Sequence, residues 1–167
     1  MKTKIITIAT ACFTILGLFA GMCFADDKAT VEEVYAKVIE GVQILEELGE
    51  EGLEAFNGKE FVWKDTYIGI VDCEKKVLVA TPTKALIGAT TDLLACKKTG
   101  KNSADIACQS AGESGLWIEY YWPNKAKEGA IERRLSFTII VPNSNYLVIG
   151  SVWDDDTTTE ELNKSLN

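Results

Sequence analysis

No histidine occurs anywhere in the 167 residues. That absence removes the conventional Ser-His and Cys-His pairs of nucleophilic catalysis, and with them the imidazole that most often ligates a metal. The cysteines show no paired C-x-x-C spacing, so a zinc site is not expected either. "GESG" at 112 to 115 is not a nucleophile elbow. Asp154, Asp155 and Asp156 lack the spaced glycine and closing glutamate of a calcium loop, and read as solvated residues leading into a last helix. No catalytic residue, metal ligand or cofactor emerges, and the chain reads as a binding module rather than an enzyme.

Long apolar runs are also scarce. The single one, Ile5 to Phe24, follows Lys2 and Lys4 and ends in small Ala25 before two acids. A charged start, an apolar middle and a small residue before a polar break describe a secretory signal peptide, here 1–25, and imply a periplasmic or secreted product. An uncleaved membrane anchor over residues 5 to 24 is the alternative, since about 20 apolar residues span a bilayer. Met22 before Cys23 fits a lipoprotein signal poorly.

Positive charge is the third shortage. Of the 17 basic residues two leave with the leader, so 15 face 25 acids over residues 26–167, a net charge of −10. Such a surface repels nucleic acid and anionic lipid, and an anionic ligand would need a local arginine. Cys12 and Cys23 also leave with the leader. Cys73, Cys96 and Cys108 remain, which in an exported protein suggests one disulfide and one free thiol, with three pairings open.

What is present is enough for one domain with a real core, and neither repeats nor low-complexity tracts occur. Thr30 and Glu33 form a capping box, and Val31, Val34, Tyr35, Val38, Ile39, Val42, Leu45 and Leu48 recur at helical steps, predicting a helix that ends by Phe56. Residues 65–72 and 77–81 flank "CEKK" as a hairpin. Residues 116–122, 133–141 and 146–153 read as three further strands, the last two joined by the turn "PNSN". Between the groups, 82–115 reads as an irregular insertion with a short helix, lying over one sheet face. Thr158 with Glu161 caps a short terminal helix. This order predicts an α+β domain with an antiparallel sheet.

In order and spacing, "YIGIVDCEKKVLVATPTKALIGATT", "IACQSAGESGLWIEYYWP", "ERRLSFTIIVPNSNYLVIGSVWDDD" and "EELNKSLN" resemble the single Cache domain family of extracytoplasmic sensors, over about residues 30 to 166. The most specific parts are the Trp-x-x-Tyr-x-Trp-Pro segment at 117–123, the basic pair at 133 and 134, and the strand entering "WDDD". The resemblance implies a PAS-like fold, with a long N-terminal helix packed on a five-stranded antiparallel sheet. It also implies a pocket between sheet and insertion that binds a small organic acid or similar metabolite, with a role in signal transduction. Cysteines at the positions of Cys73 and Cys108 are common in the family, which implies that disulfide and leaves Cys96 free. Family receptors carry a membrane helix and a cytoplasmic output. Neither follows residue 25, so the expectation is a membrane-bound signalling partner or a free binding protein.

The implied pocket residues are Tyr67, Tyr120, Trp122 and Phe137, with Arg133 or Arg134 as the carboxylate anchor. A guanidinium beside aromatic faces suits a planar carboxylate, which it can grip in a bidentate pair. Alternation puts Ile118, Tyr120 and Trp122 on one inward face, and Arg133 inward with Leu135 and Phe137. The family's basic position corresponds instead to Arg134, and the two readings stay open. Thr81-Pro82 stands where members carry His-Pro, and Phe137 where they carry tyrosine. Both departures point to a less polar ligand or to a degenerate site. The competing reading is an exported interaction or assembly protein whose pocket is filled by its own side chains.

Overall fold

A computed structural model of the chain describes residues 28 to 154 and 156 to 166. The leader with Cys12 and Cys23, and Asp155, lie outside the described residues. Helix α1 (Val31–Leu48) starts where the capping box places it: the Thr30 hydroxyl accepts from the Glu33 N–H, and the Glu33 carboxylate accepts from the Thr30 N–H. Val34, Val38, Gly41, Val42 and Leu45 form its buried stripe. Tyr35 and Leu48, assigned to that stripe by spacing, are instead exposed, although the Tyr35 ring still rests on Phe137 at 4.9 Å between centroids. A 3-10 segment, Gly49–Asn57, then turns back, and Gly49 takes a positive φ at the helix end.

The strands are β1 (Val62–Trp63), β2 (Thr66–Asp72), β3 (Val77–Ala80), β4 (Leu116–Asn124), β5 (Ala130–Ile140) and β6 (Tyr146–Trp153). They form an antiparallel sheet in the order β2, β6, β5, β4, with β1 paired to the start of β2 and β3 to its end. The five strands read from the sequence are all present. The two-residue β1 was not expected, since so short a strand carries no alternation of its own. β5 begins three residues earlier than anticipated and β4 runs two further. Each pairs with the other through Asn124 and Ala130, where Glu128 and Gly129 turn the chain with positive φ.

Both faces of this sheet are covered. On one, α1 packs against Ile68, Ile70, Leu135, Phe137, Ile139, Val148 and Val152. Gly150 permits that approach, since a Cβ there would stand 2.7 Å from Ile68 Cδ1 and 3.0 Å from Val38 Cγ2. Over the other face lies the insertion, with 3-10 turns at Lys84–Leu86 and Thr91–Leu94 and helix α2 (Ser103–Ser110). Val71, Leu78, Ala107, Ala111 and Leu147 form a second, smaller core there. A disulfide joins Cys73, just past β2, to Cys108 on α2, across a sequence separation of 35.

The outer edge of β4 is closed by side chains and loop. Asn163 on helix α3 (Thr159–Ser165) accepts from the Trp117 N–H at 2.8 Å and donates to the Trp117 carbonyl at 3.0 Å. Further along, the Lys97 N–H donates to the Tyr121 carbonyl, and the Tyr121 N–H donates to the Cys96 sulfur. An exposed edge would invite pairing with another chain, and these contacts occupy the outward N–H and C=O groups of Trp117 and Tyr121.

Candidate functional site

Between the insertion and the sheet face it covers lies a cavity of about 510 Å³. Strand periodicity decides which side chains reach it. β2 contributes Tyr67, Gly69 and Val71, β6 contributes Ile149, Ser151 and Trp153, β4 contributes Tyr120 and Trp122, and β5 contributes Arg134. From the insertion come Thr83, Leu86, Leu94, Ser103 and Ala104. Asp65 and Lys125 also line it and are exposed.

Arg134 is the one buried charge among these residues, only 8% exposed. Its guanidinium lies over the Trp153 ring, 4.5 Å from carbon to centroid, and one Nη donates a long 3.4 Å bond to the Ser151 carbonyl. Its buried Nε has no partner, and no carboxylate of the described residues pairs with it. A buried charge left without a counter-ion is costly, so the arrangement favours an anion entering the cavity.

Hydroxyls surround this pole. The Ser151 Oγ lies 2.6 Å from the Ser136 Oγ and 3.3 Å from the Tyr120 hydroxyl, and the Thr66 hydroxyl donates to the Ser151 carbonyl. Burial pushes the Tyr67 phenol up from its ordinary value, with Arg134 opposing that rise, so it stays a neutral donor at physiological pH. Tyr120 and Trp122 meet edge to face at 6.2 Å, and the Lys97 ammonium covers the Trp122 ring at 4.5 Å.

Of the residues singled out from the sequence, Tyr67, Tyr120, Trp122 and Arg134 line the cavity and Arg133 and Phe137 do not. Arg133 points to the opposite face. Its guanidinium pairs with Glu119 at 2.8 Å and donates to the Thr157 carbonyl at 2.7 Å, which ties β4 to the segment beyond β6. Phe137 is buried between Trp117 and Tyr35 on the α1 side. Thr81 is fully buried, its N–H donating to the Asn57 side chain, and does not line the cavity. The two positions that depart from the family pattern therefore alter nothing on the cavity wall. Trp117 and Tyr121 leave the aromatic wall for the same reason of parity, since they alternate with Tyr120 and Trp122.

The sequence reading missed Gly69, Ile149, Ser151 and Trp153. Their signal was present: on β6 the even residues Val148, Gly150 and Val152 form the smooth face a helix needs, leaving 149, 151 and 153 for the cavity. The Asp154 carboxylate is held within its own turn. It accepts from the Asp156 and Thr157 N–H groups and the Thr157 hydroxyl, and, against the opposing effect of burial, these bonds hold it below the usual carboxylate range. No cluster of metal-ligating side chains occurs among the described residues.

No protein-family model matches the sequence, and no curated protein matches it. Solved structures do. The chain is similar to a methyl-accepting chemotaxis protein from Vibrio parahaemolyticus, with 15% identity, a TM-score of 0.56, and coverage of 75% of this chain and 88% of that one. It is similar to a Cache chemosensory domain described for carboxylic acid recognition, with 17% identity, a TM-score of 0.56, and coverage of 74% and 92%. A periplasmic sensor domain of a chemotaxis protein aligns at 16% identity and a TM-score of 0.53, with coverage of 74% and 90%. The fold is that of a single Cache domain, a PAS-like α+β architecture.

Proposed function

On this Cache fold, we propose that the chain is an extracytoplasmic sensor domain that binds a small carboxylate through Arg134 and acts in signal transduction without catalysis. The observation that carries the reading is the buried Arg134 guanidinium, stacked on Trp153, with an unpartnered Nε and an open cavity in front of it. Tyr67 and Tyr120 stand nearby as phenol donors, and Trp122 and Trp153 exclude water from the pair. The Cache chemosensory domain described for carboxylic acid recognition supports the same ligand class. The leader of residues 1–25 exports the domain. A pocket filled by its own side chains, the premise of the interaction-protein alternative, does not fit a cavity of about 510 Å³.

The test is a thermal-shift screen of carboxylates on the mature protein, followed by calorimetry on Arg134→Ala and Arg133→Ala. Hydrogen bonds to a charged group contribute about 1.5 to 3 kcal/mol, so Arg134→Ala should weaken binding roughly ten- to a hundredfold. Arg133→Ala should leave affinity within about twofold. Equal binding by Arg134→Ala and the parent would reject Arg134 as anchor and the carboxylate reading with it.

A further inference from the structure

We infer that the cavity selects monocarboxylates with an apolar body the size of hexanoate or phenylacetate, over both acetate-sized acids and dicarboxylates. This rests on Arg134 being the carboxylate anchor. The first ground is volume. At about 30 Å³ per water, the cavity of about 510 Å³ has room for about seventeen waters. An acetate-sized acid seated on Arg134 would leave most of that space as water against Val71, Leu78, Leu86, Leu94 and Ile149. Those walls offer no side-chain hydrogen bond, so water held there is readily displaced by hydrocarbon.

The second ground is charge. The lining holds Arg134, Lys125 and Asp65 as its charged residues, and only Arg134 is buried. A second carboxylate would find no buried cation: it would lie against apolar walls, meet only the neutral Thr83, Ser103 and Asn124, or reach solvent-exposed Lys125, where pairing is weak. An amino acid fares no better, because Asp65 is exposed and already accepts from the Ala29 N–H at 2.9 Å. One buried charge facing an apolar wall of Val71, Leu78, Leu86, Leu94 and Ile149 fits one carboxylate and one hydrocarbon body.

A third observation supplies a variant. Gly69 lies in extended β2 on the cavity floor, and a Cβ there would make ordinary contacts of 3.5 Å to Leu78 and 3.7 Å to Ile149. A valine at this position suits the strand and takes volume from the chamber without touching Arg134.

The experiment is calorimetry of the mature protein with acetate, butyrate, hexanoate, phenylacetate and succinate, repeated on Arg134→Gln, Gly69→Val and Ala104→Leu. Each buried methylene is worth about fourfold in affinity. Hexanoate and phenylacetate should therefore bind at least about tenfold tighter than acetate, and succinate no tighter than butyrate. At unchanged melting temperature, a cavity-filling variant should weaken hexanoate and phenylacetate at least about tenfold more than acetate. Ala104→Leu fills the chamber from the insertion side if Gly69→Val does not fold. A flat affinity series, tighter succinate, or uniform losses in the filled variants overturns the size selection while leaving the anchor standing, provided Arg134→Gln weakens binding at least about tenfold. Absence of binding by every acid, or binding as tight in Arg134→Gln as in the parent, overturns the anchor and the selection together.

Discussion

Arg134 and Trp153 are cross-strand partners on β5 and β6, and the guanidinium carbon stands 4.5 Å from the centroid of the indole ring. Such a stack compensates part of the desolvation of a buried cation, worth about 2 kcal/mol or more when water is excluded. It also fixes the plane of the guanidinium before any ligand arrives, which lowers the ordering cost of binding. What the stack does not supply is a counter-charge.

From that deficit follows a stability prediction. Arg134→Met retains a chain of similar length and removes the unpaired charge. The ligand-free variant should be more stable than the parent by about 1 kcal/mol, or roughly 3 °C in melting temperature for a domain of this size. Carboxylates should no longer raise its melting temperature. Thermal denaturation of both proteins without ligand checks this, and a variant that melts below the parent would show that the charge is adequately solvated as it stands.

The neighbouring arginine should behave in the opposite way. Arg133 reaches Glu119 on β4 and the Asp154 and Thr157 carbonyls beyond β6, so Arg133→Ala leaves two acceptors and a carboxylate without their partner. A loss of about 1 to 2 kcal/mol is expected, because the residue is partly exposed and water can replace some of these bonds. Hydrogen exchange should accelerate in residues 154 to 162, with ligand affinity unaltered. Unchanged exchange there would mean that the turn is held by the Asp154 carboxylate alone.

The contrast between these two residues explains how far the sequence could be read. Both capping boxes, the long helix and the five main strands follow from local chemistry and are present, although α1 ends at Leu48 rather than by Phe56 and gives way to the 3-10 segment Gly49–Asn57, and β4 and β5 run longer than their alternation shows. The inward face of β5 does not follow, because alternation tells which residues share a face but not which face meets the cavity. Leu135 and Phe137 look like pocket residues because they are apolar, yet this sheet is buried on both sides and their side belongs to α1. The cavity side of β5 carries Arg134, Ser136 and Thr138, a polar set that reads in isolation as solvent-facing. The insertion that covers them contributes Leu86, Leu94 and Ala104 through loops and short turns, where no periodicity announces a contact.

The disulfide should matter to the cavity as well as to the fold. Cys73–Cys108 anchors α2, which carries Ser103 and Ala104 on the cavity wall. For a loop set by a separation of 35 residues, the chain-entropy estimate is about 3 to 4 kcal/mol. The Cys73→Ala/Cys108→Ala protein should lose about that much stability in denaturant titration, and should bind carboxylates more weakly even where it remains folded. Peptide mapping without reduction should recover the Cys73–Cys108 pair and Cys96 as a free thiol. Recovery of Cys96 in a disulfide would refute the pairing.

Cys96 provides a pH dependence whose sign can be fixed. The thiol is buried, and burial alone opposes its ionisation. Hydrogen bonds from the Thr99 side chain and from the backbone of Tyr121, Thr99 and Lys98 favour the thiolate and together outweigh burial, lowering the pKa from 9.0 to about 7. For an acid whose pKa is depressed on folding, the stabilisation is fully present above the unfolded value and is lost as pH falls through the folded value. Stability should therefore climb between about pH 7 and pH 9, by up to about 2 to 3 kcal/mol at about 1.4 kcal/mol per pKa unit. Cys96→Ser replaces the thiol by a hydroxyl that does not titrate in this range, and should flatten the climb while leaving the Cys73–Cys108 bond intact. Denaturant midpoints for parent and variant at pH 6.5, 7.5 and 9 provide the comparison. Parallel curves for the two proteins would show that the thiol stays protonated in the fold and that the hydrogen bonds around it do not overcome burial.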